Sequence, residues 1–192
     1  RSWEAGIPAK RAVILIGTPG RGKTSSAEAL AQEMGWQIVE MNSSDQRNES
    51  AIRDVALRGA NYNTFGEDGY LSVKDGMRKL IVLDEADSFF GNADKGALPA
   101  VNELIKTTKQ PVMLIVNDFY ALSRKSNTVK TDTIQITFRK PTAKAVMGAL
   151  KRICAAEGVD MEDGVLERIA ENANGDMRGA VRDLESIAFG RD

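Results

Sequence analysis

Between an apolar run at residues 12–16 and a helix-forming run from Ser25 lies Gly17-Thr18-Pro19-Gly20-Arg21-Gly22-Lys23-Thr24, an eight-residue turn rich in glycine. Its glycines let successive backbone N–H groups curl into a concave nest for phosphate oxygens. Lys23 adds a point charge for the outer phosphates and Thr24 a hydroxyl suited to Mg²⁺. The turn needs a strand to feed it and a helix to leave it, and both neighbours have that character. A chain with this feature is therefore expected to be an α/β protein, and Gly17, Thr18, Pro19, Gly20, Arg21, Gly22, Lys23, Thr24 and Ser25 are its candidate polyphosphate-binding residues. The plainer alternative is a glycine-rich turn that serves chain geometry alone.

A second element completes such a site. Leu80-Ile81-Val82-Leu83 followed by Asp84-Glu85-Ala86-Asp87 reads as a buried parallel strand that emerges among carboxylates. In open α/β sheets ligands sit at that carboxyl edge. Asp84 is the candidate Mg²⁺ partner of Thr24, and Glu85 the group that would polarise an attacking water. Asn117 follows the apolar run at residues 112–116 and reaches the same edge, either to orient water or simply to close the strand in an Asn-Asp turn. Arg178 falls in the first turn of the last helical segment, where the helix dipole opposes a cation by roughly 0.3–1 kcal/mol. A γ-phosphate would compensate, as would a surface pair with Asp176 or Glu171.

Composition narrows the alternatives. The chain has 192 residues, 42% hydrophobic, and a formal net charge of -1, so any contact with nucleic acid must be local rather than driven by a global basic field. The absence of histidine removes Ser-His-Asp and Cys-His catalysis and most zinc sites. One cysteine, Cys154, excludes an internal disulfide, reads as a small core residue and suits a reducing, intracellular (cytoplasmic) setting. No apolar run approaches the roughly 18 residues of a membrane span.

Further strand-like runs occur at residues 36–41, 111–116 and 133–138, the last with alternating Ile134 and Ile136. Helical patterns at residues 25–34, 50–59 and 97–107 alternate with them, which predicts a parallel sheet covered on both faces. Residues 61–79 read as a long surface loop. From Pro141 the pattern changes to three helical segments, with Val146, Ala149, Leu150 and Ile153, then Val165, Leu166 and Ile169, then Val181, Leu184 and Ile187 on their apolar faces. The expected division is an α/β domain at residues 1–140 and a small helical one at 141–192, hinged near residues 139–142.

Taken together these motifs resemble the AAA+ ATPases, and within them the large subunits of archaeal clamp loaders. The resemblance rests on Glu40-Met41-Asn42-Ser43-Ser44-Asp45, Leu83-Asp84-Glu85-Ala86-Asp87, Gly91-Asn92-Ala93-Asp94-Lys95-Gly96, Glu103-Leu104-Ile105-Lys106 and Gly175-Asp176-Met177-Arg178. It implies a P-loop ATPase core followed by a helical lid, with ATP and Mg²⁺ as ligands. It also implies that Asn117 is sensor 1, Arg178 sensor 2, and Asn42 the polar switch that restrains Glu85 until DNA arrives. The implied partners are four small subunits in a hetero-pentamer, a ring-shaped sliding clamp, and primer-template DNA held by its backbone. Arg53 and Lys95 match the family's phosphate-contacting positions, although each is equally compatible with solvated surface charge.

The departures from the family also carry information. Small clamp-loader subunits place an arginine finger after sensor 1, but here the stretch reads Val129-Lys130-Thr131-Asp132, and Arg124 falls early for a substitute. This suits a subunit that receives a finger without donating one, and argues against a closed hexameric remodeller. The loop carries Thr18 where the family usually has proline. The resemblance also implies an upstream segment that packs on adenine and a downstream collar domain, neither of which falls within these 192 residues. A nucleotide-gated scaffold that binds ATP without turnover is a further alternative, disfavoured by the intact Asp84-Glu85 pair.

Overall fold

The computed structural model describes Trp3 and residues 6–42, 78–87 and 97–190. The chain divides into two compact units, Arg1–Ile16 with Lys23–Thr137, and Gly17–Gly22 with Phe138–Asp192.

The first unit is a five-stranded parallel sheet. Its strands are β1 (Ala12–Ile16), β2 (Gln37–Asn42), β3 (Lys79–Asp84), β4 (Val112–Val116) and β5 (Thr133–Thr137), in the order β2-β3-β4-β1-β5. Every residue of β4 is buried, and β3 is buried up to Leu83. Continuous apolar runs of this kind are what a strand needs when helices cover both faces of its sheet. The helices are α1 (Lys23–Met34), α2 (Ala97–Thr107), α3 (Phe119–Lys125) and α4 (Asn127–Thr131). Along α2, Ala97, Ala100, Val101, Leu104 and Ile105 form one buried face at three- and four-residue spacing.

Helix α1 is held differently. Its buried residues are Lys23, Ala27 and Ala31, a stripe in which alanines permit close approach. The helix ends in a Schellman turn: Trp36 N–H donates to the Ala31 carbonyl at 2.8 Å and Gly35 N–H to that of Gln32 at 3.2 Å. Arg11 secures the end of α2 by donating to the carbonyls of Lys106 and Thr108. Helix α4 is capped by Ser126, whose hydroxyl accepts from Val129 N–H and also bonds the Asn102 side chain.

Two expectations need adjustment. Residue 79, read as the end of a surface loop, instead opens β3: Lys79 pairs with Gln37, donates its N–H to Gln110 Oε1 and is buried. A lysine stem packs like an apolar side chain, so polarity misled the boundary. Burial pushes the Lys79 ammonium below its usual pKa. The unfolded chain then binds more protons in the window between the lowered and ordinary values, so stability rises as pH climbs through it. The alternation of β5 also overstated its burial. Thr133 is buried on this edge strand, whereas Ile134 and Ile136 stay 47% and 46% exposed. The helical pattern at residues 50–59 and the loop at 61–77 lie outside the described residues.

The second unit gathers α5 (Ala143–Glu157), α6 (Asp163–Asn172) and α7 (Met177–Phe189) around a core that includes Val146, Leu150, Cys154, Leu166, Ile169 and Leu184. Cys154 is the small core residue its context suggested. Local signals set the helix ends: Thr142 Oγ1 accepts from Ala145 N–H, and Gly158 closes α5 in the left-handed conformation.

Candidate functional site

In the sheet unit the chemistry collects at the carboxyl ends of neighbouring strands. Helix α1 begins with Lys23 and Thr24, Asp84 ends β3, and Asn117 follows β4. The Thr24 hydroxyl donates to Asp84 Oδ2 at 2.9 Å, and the Lys23 ammonium donates to Asn117 Oδ1 at 3.2 Å. These contacts span 60 and 94 residues of sequence. Lys23 is only 6% exposed, which makes it a buried cation at a helix start, where the dipole is unfavourable and an anion would be favoured.

Asp84 has two engagements. Its Oδ2 faces Thr24, while Oδ1 accepts the Glu85 N–H at 2.7 Å. That second bond supports an uncommon backbone, since Glu85 has φ 51°, a left-handed conformation costing a non-glycine residue about 1–2 kcal/mol. The turn leaves the Glu85 side chain exposed. Ala86, fully buried, anchors it by donating its N–H to the Ile115 carbonyl at 2.8 Å. Asn117 is exposed, and Asp118 beside it caps α3 by accepting from Tyr120 and Ala121. The strand-closing turn and a side chain facing Lys23 therefore coexist. A hydroxyl beside a carboxylate is a hard oxygen donor pair. Among the described residues no group of three or more His, Cys, Asp or Glu could hold a metal. One carboxylate plus one hydroxyl, completed by water and phosphate oxygens, is how Mg²⁺ is commonly held.

In the helical unit the segment Gly17–Gly22 is fastened by a backbone bond and a bond from the Arg21 guanidinium. Gly20 accepts the Met177 N–H at 2.9 Å, and Arg21 donates to the Phe138 carbonyl at 3.0 Å. Gly20 has φ 75°, and a Cβ there would stand 2.0 Å from Asp176 Oδ1, so any other residue would both strain the backbone and displace the Asp176 side chain. Thr18 and Pro19 are exposed, as is Ser25 of α1. Asp176 caps α7, its Oδ1 accepting the N–H groups of Arg178 and Gly179 at 3.0 and 3.1 Å. Arg178 is exposed in the first turn of that helix.

Other candidates fall elsewhere. The backbone of Asn42 is in register with Asp84, while its side chain, Arg53 and Lys95 lie outside the described residues. Val129 is fully buried and Lys130 exposed on α4, and Arg124 is exposed in the last turn of α3. Sequence reasoning missed one residue. Asp87 Oδ2 accepts the N–H groups of both Asn117 and Asp118, at 3.1 and 3.2 Å. No local pattern marks partners that lie 30 and 31 residues away.

A strand, a glycine-rich turn and a helix in succession, with an acidic strand end beside the start of that helix and three further helices later in the chain, define a P-loop nucleoside triphosphatase fold. The chain belongs to the AAA family of ATPases: the model of the "ATPase family associated with various cellular activities" matches residues 13–157. An RCF1/5-like AAA+ ATPase lid domain matches residues 148–189. Nucleotide binding is a property of that family. The chain is also similar to proteins named "Replication factor C large subunit". It is 44% identical to that of Methanosarcina mazei over 98% of this chain and 29% of the relative. With that of Halorubrum lacusprofundi it shares 43% identity over 100% of this chain and 38% of the relative, and with that of Methanocella arvoryzae 42% over 99% and 32%. The chain thus spans about a third of the length of these curated relatives. No helix among the described residues is long and apolar enough to cross a membrane.

Proposed function

We propose that this chain is the ATP-hydrolysing part of a clamp-loader large subunit, which uses ATP to help place a ring-shaped sliding clamp on primed DNA. The observation that carries the reading is the pair of contacts joining Lys23 to Asn117 and Thr24 to Asp84, in a chain with replication factor C large subunits among its relatives. Residues 1–140 are the ATPase domain in this proposal and 141–192 the lid.

The backbone amides of residues 17–22 cradle the triphosphate, and Lys23 exchanges Asn117 for phosphate oxygen. Thr24 and Asp84 would hold Mg²⁺, which when bound neutralises phosphate charge. Glu85 accepts the proton of the attacking water, Asn117 orients that water, and Arg178 senses the γ-phosphate. Asn42 acts as the switch on Glu85. Arg53 and Lys95 contact DNA phosphates without reading sequence. The partners are small clamp-loader subunits in a hetero-pentamer, the sliding clamp and primer-template DNA, inside the cell where the chromosome is copied.

The test combines the full-length protein with small subunits and a sliding clamp, and measures ATP hydrolysis with and without primed DNA. Hydrolysis stimulated by clamp and DNA together is expected. Turnover indifferent to both would overturn the loader reading, and binding without turnover would favour the scaffold.

A further inference from the structure

The turn after β3 and the turn after β4 are stitched together one residue at a time. Asp84 Oδ1 holds the Glu85 amide, the Ala86 amide is bonded to the Ile115 carbonyl, and Asp87 Oδ2 takes the amides of Asn117 and Asp118. Beneath them β3 and β4 are paired, Leu83 opposite Leu114. Glu85 and Asn117 therefore ride on a single hydrogen-bonded plate, and the Asp87 side chain ties its two halves.

Two details point beyond a generic turn. A carboxylate oxygen that accepts two backbone amides makes charge-assisted bonds, stronger than the neutral contacts that close most strand ends. The other oxygen, Oδ1, is buried and has no hydrogen-bond partner among the described residues, a cost of folding that a simple strand-closing turn gives no reason to keep. We infer that Asp87 is a positioning residue for ATP hydrolysis, locking Asn117 at a fixed separation from Glu85 so that the water-orienting amide and the proton acceptor address one water. This rests on the ATPase reading above and assigns a role to a residue outside its catalytic set. The geometry does not require Asp87 to touch nucleotide. Its loss should loosen Asn117, and a misplacement on the order of 1 Å at such a site costs roughly 10²-fold in rate.

The experiment uses the full-length protein assembled with small subunits and compares Asp87→Ala, Asp87→Asn, Asn117→Ala and the double variant Asp87→Ala/Asn117→Ala, with Glu85→Gln as reference. ATP affinity is read by titration with a fluorescent ATP analogue and turnover by steady-state hydrolysis. Asp87→Ala should lower kcat by about 10–10²-fold while affinity changes by less than about threefold. Asp87→Asn keeps one oxygen able to accept both amides and should restore kcat to within about fivefold of the parent. The double variant should be no slower than Asn117→Ala, because Asp87 acts through Asn117. Multiplying losses in the double variant, an unchanged kcat in Asp87→Ala, or no recovery in Asp87→Asn would each overturn the inference. If Asp87→Ala does not fold, the comparison of Asp87→Asn with the parent, expected within the same limit, decides it. Normal turnover in Glu85→Gln would instead defeat the ATPase assignment of Glu85 itself, which separates the two failures.

Discussion

The strand ends of the sheet unit and the helix caps of the helical unit use their polar residues in different ways. Around the ends of β3 and β4, polar side chains bond partners remote in sequence: Thr24 with Asp84, Lys23 with Asn117, Asp87 with the amides at 117 and 118. In the helical unit the capping bonds are local, Thr142 reaching Ala145, and Asp176 reaching Arg178 and Gly179. Local caps stabilise one helix and can be exchanged for other caps. Long-range contacts between exposed strand ends exist only when the whole sheet is in register, so they define a site rather than an element. Substitutions at the strand ends should therefore change chemistry more than stability, and substitutions in the three-helix core should do the reverse.

The largest expected effect tests the first half of that contrast. Glu85→Gln should reduce turnover by roughly 10²–10⁴-fold and leave ATP affinity and melting temperature close to the parent. The Asp84 bond to the Glu85 amide involves backbone and survives the change. A comparable loss of affinity would mean that the turn, not the carboxylate, had been damaged. Next comes Leu150→Ala, which empties a fully buried position in the lid core and should cost about 2–5 kcal/mol. Hydrogen exchange should show faster exchange across residues 143–189 with β4 protection retained. Equal loss of protection in β4 would erase the distinction between the units. Smaller again, Lys23→Ala removes charge-assisted bonds worth about 1.5–3 kcal/mol, so ATP binding should weaken by roughly 10–150-fold in a titration while the sheet stays folded.

Much of this contrast was legible in the amino-acid order, for physical reasons. Continuous apolar runs can be buried only inside a covered parallel sheet, so β1, β3 and β4 were readable within a residue or two. The helical faces of the lid followed from three- and four-residue spacing, since Val146, Leu150, Leu166, Ile169 and Leu184 are all buried. Lys23, Thr24, Asp84 and Glu85 could be proposed for the same reason, each being announced by its neighbours in sequence. What escaped was tertiary. The role of Asp87 depends on which strand lies beside β3, and strand order is not written in any one segment. Lys79 escaped because a long alkyl stem packs like a hydrophobic side chain while scoring as charged. Ile134 and Ile136 misled in the opposite direction, because alternation reports two faces without saying whether either is covered.

The finest comparison uses two glycines in the same backbone region, one in each unit. Gly35 closes α1 at φ 65°, with open space where a Cβ would stand. Gly175 precedes α7 at φ 79°, and a Cβ there would meet Lys140 Cγ at 2.5 Å and the Pro141 carbonyl at 3.1 Å. Substitution by alanine imposes the same left-handed penalty at both, about 1–2 kcal/mol. Only at Gly175 must the neighbouring chain also move. Lys140 cannot swing clear freely, because its ammonium is bonded to the Asn174 side chain. Gly175→Ala should therefore destabilise the helical unit by about 1–3 kcal/mol more than Gly35→Ala destabilises the sheet unit, read as the local difference in hydrogen-exchange free energy. Equal penalties would mean that the segment joining Phe138 to α5 yields easily. The extra cost would then vanish together with the idea that packing around Gly175 fixes the start of α7.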